Sequence, residues 1–137
     1  MAGWASYNMA DEILNFYYRG VPISIGSSLW LRLLVSPSSR SGGGTETNFS
    51  GWSRIELPRD FSFFTVAPGN GRLTNAAVFQ TANANSAGNG DLSFFDIVDT
   101  PSGTVGKIYN GGPIVPVTAI AVGKPIKFRA GALIMTF

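Results

Sequence analysis

The pattern of apolar and polar residues changes near Gly20, where a helical pattern gives way to a β pattern. Before that point, large apolar residues recur at the spacing of one helical face: Met9, Ile13, Phe16 and Tyr17. Asn8 is placed to cap the first turn, and Gly20 followed by Val-Pro is a typical stop signal. The pattern predicts one amphipathic helix over residues 6–19, whose apolar stripe packs on a sheet or on a partner chain.

After Gly20 the apolar residues alternate with a period of two. In the stretch LWLRLLVS, Leu29, Leu31, Leu33 and Val35 share one face of a strand, and Trp30 and Arg32 share the other. This alternation is typical of a half-buried strand. Further β-rich stretches follow at 52–57, 61–67, 73–80, 91–98, 104–109, 114–121, 125–129 and 132–137. Asn-Gly pairs, which favour hairpin turns, occur at 70–71, 89–90 and 110–111.

These elements define the expected fold class. Many short strands without helical crossovers predict a mainly β fold, an antiparallel jelly-roll-like sandwich with one short N-terminal helix. A chain of 137 residues is the size of one domain, so we expect a single β domain over 1–137. The small polar stretch 81–90 is predicted to be a surface loop.

Composition indicates what covers this domain. Apolar residues make up 45% of the chain and charged residues 13%, about half the usual charged fraction. So few charges are typical of a subunit whose faces are covered by other proteins. The net charge of +2, without a dense basic patch, argues against a nucleic-acid partner. No apolar run approaches the ~20 residues that cross a bilayer, so we expect no membrane partner.

The chain has no Cys and no His. This excludes disulfides and zinc–thiolate sites, and it removes the commonest general base and metal ligand. Asp96 and Asp99 are close enough in sequence to suggest a carboxylate pair, but residues three apart on a strand point to opposite faces. Asp99 also begins a good turn sequence, Asp-Thr-Pro-Ser-Gly. We therefore expect no catalytic residues, cofactor or metal, and no enzyme activity.

The glycine run in SRSGGGTETNFSGWSR is a weak phosphate signal. A phosphate-binding loop needs Lys and Ser or Thr after its last glycine, then a helix. Here Thr45 and Glu46 follow Gly44, and the Glu46 carboxylate would repel phosphate. Two interpretations remain for residues 39–52: a flexible loop between strands, or a Gly-rich flexible arm that becomes ordered on contact with a larger surface.

The aromatic residues also allow two interpretations. Trp4, Trp30 and Trp52, with ten Phe and four Tyr, could form a sugar-stacking platform, and the Asn-rich stretch 83–89 would support it. Most of the Phe residues, however, cluster in strand stretches such as FSFF and LSFF, which is typical of a core.

The order of several motifs resembles a known family. An N-terminal YNMADEILNFYYRG is followed by LWLRLLVSP, GGGTE, GWSRIEL, NAAVF, DLSFFDIVDTPSG and a closing AGALIMTF. This order resembles small virion proteins of tailed phages that are often described as phage tail fibre proteins. It is also similar to the jelly-roll cement, or decoration, proteins of phage capsids. The resemblance implies a structural protein of the virion and leaves its position open between capsid and fibre.

A short single domain without repeats or heptads favours the capsid. Our main hypothesis is a capsid decoration (cement) protein, a homodimer on the outer capsid surface that binds the assembled major capsid protein and stabilises the shell. The alternative is a tail fibre or receptor-binding structural component of the virion. Eight residues are expected at the partner interface: Trp4, Gly42, Gly43, Gly44, Thr45, Glu46, Trp52 and Arg54. Trp52 and Arg54 are the expected anchors, because Trp and Arg dominate interface hot spots; otherwise they are a core Trp and a solvated Arg.

Overall fold

A computed structural model describes residues 4–26, 28–59, 63–67, 69 and 71–136. In these residues the chain forms one helix and eleven strands. Their bounds are β1 (Trp4–Ala5), α1 (Tyr7–Arg19), β2 (Ser28–Ser39), β3 (Gly42–Glu46), β4 (Ile55–Pro58), β5 (Phe64–Ala67), β6 (Arg72–Asn75), β7 (Phe79–Gln80), β8 (Leu92–Val98), β9 (Ile108–Thr118), β10 (Lys127–Phe128) and β11 (Ile134–Thr136).

The strands form three sheets in which every pairing is antiparallel. The largest has six strands in the order β1-β9-β8-β2-β3, and β4 also pairs with β2. A three-stranded sheet has the order β11-β6-β5, and β10 pairs with β7. The predicted class, a mainly β antiparallel fold with one helix, is confirmed, while the jelly-roll arrangement stays a prediction.

The central strands β2 and β8 set the register of the core. Leu31 pairs with Ile97 and Leu33 with Phe95, and all four side chains are buried. These residues alternate as the sequence predicts. The expectation of a half-buried strand is wrong for the middle of β2, since Arg32 and Leu34 on its second face are also buried. Both faces of this strand are therefore covered.

The helix is confirmed at Tyr7–Arg19, but its start differs from the prediction. The N-cap is Ser6, whose Oγ accepts a hydrogen bond from the backbone N–H of Met9 at 3.0 Å. Ser6 can cap because it is extended and fixed beside β9, where its N–H donates to the carbonyl of Tyr109 at 2.7 Å. Asn8 lies inside the first turn. Gly20 ends the helix in the left-handed region, at φ 67°.

The predicted apolar stripe of the helix is only half right. Met9 and Ile13 are partly buried against the sheet, whereas Phe16 is 49% exposed and Tyr17 75% exposed. Glu12 lies on the same side as Met9 and Ile13, and its Oε1 accepts from Lys107 Nζ at 2.6 Å. This hydrogen bond with Glu12, together with the attraction of its charge, raises the pKa of Lys107. A narrow inward face thus holds the helix, and Leu14, Tyr17 and Tyr18 remain more than half exposed.

The hairpin turn predicted from Asn-Gly at 110–111 is wrong. The stretches predicted at 104–109 and 114–121 form one strand, Ile108–Thr118, in which Gly111 pairs with both Trp4 and Asp96. A Cβ at position 111 would lie 2.7 Å from the carbonyl oxygen of Phe95. Glycine stands there because the backbones approach closely, which the sequence alone cannot distinguish from a turn.

The other two Asn-Gly signals have different outcomes. Strands β5 and β6 pair antiparallel, and Pro68 and Asn70 between them lie outside the described residues. Asn89-Gly90 precedes β8 without joining a hairpin, since β8 pairs with β2 and β9. Residues 81–90 form no helix or strand, as predicted, and the predicted stretch 73–80 divides into β6 and β7. Residues 1–3, 61, 62 and 137 of the predicted elements also lie outside the described part.

Part of the segment 39–52, which was predicted as a flexible loop or a Gly-rich flexible arm, forms a strand instead. Residues Gly42–Glu46 form β3, whose backbone pairs with β2 from Leu34↔Glu46 to Ser39↔Gly42. Residues 47–52 are held in turn by the 81–90 loop, since Asn85 N donates to Ser50 O at 2.7 Å and Ser50 N donates to Ser86 Oγ at 2.9 Å. No helix in the described part of the chain is long and apolar enough to cross a membrane.

Candidate functional site

Three of the predicted interface residues, Glu46, Trp52 and Arg54, meet beside one groove of about 470 Å³. The groove lies between the segment that follows β3 and the turn at 100–103. We call it the β3 groove. Its lining consists of Glu46, Thr47, Asn48, Phe49, Trp52, Ser53, Arg54, Pro101, Ser102 and Gly103.

Glu46 is the centre of the polar contacts at the β3 groove. Its Oε1 accepts hydrogen bonds from Trp52 Nε1 and from Arg54 Nε, both at 3.0 Å. Its Oε2 accepts from Arg54 Nη2 at 2.9 Å. The two Arg54 contacts make a bidentate pair, which is the strongest geometry between a guanidinium and a carboxylate. The carboxylate is thus fixed by contacts inside the chain.

Arg54 is buried, and all its donors are used. Besides the Glu46 contacts, Nη1 donates to the carbonyl oxygen of Thr100 at 3.0 Å and to its Oγ1 at 2.9 Å. Nη2 donates to the carbonyl oxygen of Gly103 at 2.7 Å. A guanidinium has five N–H donors, and these contacts account for all of them. Arg54 therefore joins the strand that carries Glu46 to the 100–103 turn and offers no free donor to a partner.

Trp52 is half-buried, with one part of its ring in the core and another lining the groove. Its ring centroid lies 5.7 Å from that of Phe49, at an interplanar angle of 58°. Its N–H is taken by Glu46, so what remains open to the groove is aromatic carbon surface. A ring held on two sides is rigid and loses little entropy on binding.

The glycine run forms the outer strand of the six-stranded sheet. Gly44 has φ 84°, and a Cβ there would lie 3.0 Å from Ser38 Cβ and 3.2 Å from Leu34 Cδ1. Gly43 also has a positive φ, 87°, but a Cβ would meet nothing within 4 Å. The carbonyl of Gly43 accepts from Arg32 Nη2 at 3.2 Å, and Thr45 N donates to Ser36 Oγ at 3.0 Å.

Trp4 belongs to a separate part of the surface. It pairs with Gly111 in β1, and the carbonyl oxygen of its neighbour Ala5 accepts from Arg40 Nε at 2.8 Å. Arg40 lies in the turn that precedes Gly42, so Trp4 is close to the glycine end of β3. Glu46, Trp52 and Arg54 lie at the other end. The eight predicted interface residues thus fall into two groups that β3 connects.

The buried pair Arg32–Asp96 was not singled out by the sequence. Arg32 Nε donates to Asp96 Oδ1 at 2.9 Å, and Nη2 donates to Oδ2 at 2.7 Å. Burial alone lowers the pKa of Arg32, but the hydrogen bonds and charge of Asp96 outweigh it and raise the pKa. Asp99 instead accepts from the N–H groups of Gly106 and Lys107, which fixes the following loop. Neither carboxylate is a partner for the other, in agreement with the sequence interpretation.

The comparisons with known proteins agree with a role in a phage particle. A family model described as podophage GP4 fiber I protein gp80 matches residues 4–136. A search of curated proteins finds no match. The resemblance to phage virion proteins is confirmed, whereas the similarity to capsid cement proteins stays a prediction. Because the match covers nearly the whole chain, the protein belongs to the family of the podophage GP4 fiber I protein gp80, a family of phage virion structural proteins.

Proposed function

We propose that this protein is a structural subunit of a podophage fibre and that it acts without catalysis. The observation that carries the proposal is the family match over residues 4–136, whose description names a fibre protein. This was the alternative hypothesis from the sequence. The capsid cement function, with the major capsid protein as partner and the outer capsid surface as location, is not favoured by that description and stays a prediction.

The contacts of the β sheets support a passive structural role. The charged groups of the β3 groove and of the Arg32–Asp96 pair are bonded to one another rather than left to act on a substrate. A carboxylate held in this way has its oxygens already occupied by donors of the same chain. Such interactions fix the shape of a subunit, which is what a repeating assembly requires.

Two surfaces are suited to contacts with neighbouring virion proteins. Strand β3 is at the end of the sheet order, and Gly43, Gly44 and Thr45 are exposed along it. An edge strand can accept a further strand through backbone hydrogen bonds. The β3 groove next to it adds the open aromatic surface of Trp52, a residue type that is enriched at interface cores. Together they form a continuous region for a protein partner.

Localisation on the particle tests the proposal. Virions would be labelled with gold-conjugated antibodies against this protein, and in parallel imaged with the gene intact or deleted. We expect label on the fibres, and shortened or missing fibres in the deletion, with capsids that rupture at the same temperature. Label distributed over the head, with capsids that rupture at a lower temperature when the protein is missing, would overturn the fibre assignment and support the cement function.

A further inference from the structure

A polar pocket of about 190 Å³ lies where the N-terminus of α1 meets the turn between β2 and β3. We call it the arginine pocket, because Arg32 and Arg40 both line it. Its other polar and glycine lining residues include Asn8, Ser41, Gly43 and Gly106. It shares no lining residue with the β3 groove. Among the described residues that line it, none is Asp or Glu, so its charged groups are both guanidinium groups.

Arg40 is held in place by the N-terminal segment, but most of its donors are free. Its Nε donates to the carbonyl oxygen of Ala5 at 2.8 Å, and its guanidinium carbon lies 4.7 Å from the centre of the Tyr7 ring. Its own carbonyl oxygen accepts from Tyr7 N at 3.0 Å. Within the described part of the chain, Nη1 and Nη2 have no acceptor and the side chain forms no ion pair. Arg40 thus presents an oriented guanidinium edge, a geometry that suits a planar anion.

Arg32 supplies a second free donor from a more buried position. Its side chain is only 8% exposed. Nε and Nη2 donate to Asp96 and to the carbonyl oxygen of Gly43, whereas Nη1 has no acceptor among the described residues. A buried donor without an acceptor costs free energy. An acceptor that enters the pocket beside Arg32 would therefore be stabilised.

The first turn of α1 adds a backbone donor. The N–H of Tyr7 donates to Arg40, and the N–H of Met9 donates to the Oγ of Ser6. The N–H of Asn8, between them, has no acceptor in the residues that the structure describes. Free N–H groups of a first turn point out of the helix end and favour negative charge. Two guanidinium groups and a helix N-terminus therefore meet at one pocket.

The charge and the size of the pocket indicate which anion fits. Asp96 balances the charge of Arg32, with Nη2 and Oδ2 2.7 Å apart, so the unbalanced charge is that of Arg40. Asp99, which accepts from the N–H of Gly106, adds negative charge nearby. One positive charge suits a monoanion better than a dianionic phosphate. The volume lies below the ~300–1,000 Å³ of sites that enclose a whole drug-sized ligand. A small planar monoanion, a carboxylate group, meets both conditions.

We propose that the arginine pocket binds the carboxylate group of an organic acid. The free edge of Arg40 donates to the carboxylate oxygens, and Arg32 Nη1 and the N–H of Asn8 donate from the other sides. Such charge-assisted bonds are the strong ones among hydrogen bonds. This ligand site goes beyond the proposed fibre role and does not depend on where the protein lies on the particle. An acidic amino acid and an acidic sugar both carry the group, and the experiment separates these two sources.

NMR titration of the ¹⁵N-labelled full chain with acetate tests the site, with acetamide as the matched neutral control. We expect saturable shifts of the amide signals of Asn8, Ser41, Gly43 and Gly106, with a Kd on the order of millimolar. Acetamide should give no saturable shift, and inorganic phosphate should bind more weakly than acetate. Acetamide shifts equal to those of acetate, or tighter binding of phosphate, would overturn the carboxylate assignment.

Variants assign the binding to the pocket. Arg40→Gln removes the free guanidinium edge, so the Kd for acetate should rise at least about tenfold. Arg129→Gln changes an exposed arginine outside the pocket and should leave the Kd unchanged. Ser41→Glu places a carboxylate at the rim of the pocket and should weaken acetate binding more than the neutral Ser41→Gln. Circular dichroism verifies that each variant is folded.

Two further pairs of probes identify the source of the carboxylate. N-acetylglutamate amide is compared with N-acetylglutamine amide, and glucuronate is compared with glucose. We expect the acid of each pair to bind and its neutral counterpart not to bind, and the tighter acid indicates the source. No saturable shift with acetate or with either larger acid would refute the proposal. Equal Kd values for acetate in Arg40→Gln and Arg129→Gln would refute it as well.

Discussion

The β sheets of this protein bury charged side chains, whereas its helix exposes large apolar ones. In the largest sheet, Arg32 is buried and bonded to Asp96, and just before β4 the buried Arg54 is bonded to Glu46. On the helix, large apolar side chains such as Tyr17 and Tyr18 face outward. Arg54, which was expected at a partner interface, is thus bonded inside the chain, while Tyr17 and Tyr18 remain mostly exposed. Burial and bonding, rather than residue type, decide which of these side chains remain exposed.

The largest expected effect concerns the buried charges of the sheet. Asp96→Ala leaves the Arg32 guanidinium buried without its carboxylate, and we expect the free energy of unfolding to fall by about 3–5 kcal/mol. Urea denaturation measures the change, provided that the m-value is unaffected. The double variant Arg32→Met/Asp96→Leu should recover most of the loss, because it removes both charges together. A loss below about 1 kcal/mol in Asp96→Ala would show that water reaches the pair.

A smaller loss of unfolding free energy is expected when Arg54 is replaced by another cation that cannot form its hydrogen bonds. Arg54→Lys retains a cation beside Glu46, but an ammonium cannot reach Thr100, Gly103 and both carboxylate oxygens together. We expect a loss of about 1.5–3 kcal/mol, measured in the same denaturation experiment. The control Arg129→Lys changes an exposed arginine and should stay within about 0.5 kcal/mol. Equal effects of the two substitutions would contradict a structural role for Arg54.

Patterns local in sequence predicted the elements of the fold well. The 3.6-residue spacing from Met9 to Ile13 and the alternation in β2 are properties of neighbouring residues, and both give the observed elements. The alternation did not show that Arg32 is buried, because its partner Asp96 is 64 residues away and is set by the register of β8. The same holds for Gly111, whose need for glycine comes from strand contacts on both sides.

The sequence identified the residues of the candidate site, but it did not predict the hydrogen bonds between them. Glu46, Trp52 and Arg54 do lie together, and their spacing of six and eight residues was compatible with an internal network of one carboxylate and two N–H donors. Residue type alone, on which the expected partner interface was based, does not show that these three side chains bond to one another. The helix YNMADEILNFYYR, in contrast, contains more large apolar residues than one face can hold, and Leu14, Tyr17 and Tyr18 are accordingly exposed.

Alanine substitutions at two neighbouring glycines of β3, Gly43 and Gly44, should differ in their cost to stability by about 1 kcal/mol. Gly43 and Gly44 both have positive φ, so alanine is strained at either, by about 1–2 kcal/mol. At Gly44 the new methyl group would also press on Ser38 and Leu34, so Gly44→Ala should cost about 1 kcal/mol more than Gly43→Ala. Thermal unfolding of the two variants measures the difference. Equal losses would show that β3 shifts outward to accommodate the methyl group.

The smallest expected effect on stability comes from the exposed tyrosines of α1, Tyr17 and Tyr18. Because Tyr17 and Tyr18 are mostly exposed, Tyr17→Gln/Tyr18→Gln should change the unfolding free energy of the dilute monomer by no more than about 0.5 kcal/mol. Thermal melts of the wild-type chain and of the double variant at several concentrations measure the difference. If the variant is strongly destabilised even at the lowest concentration, the tyrosines support the fold of the single chain, and the contrast between helix and sheets no longer holds.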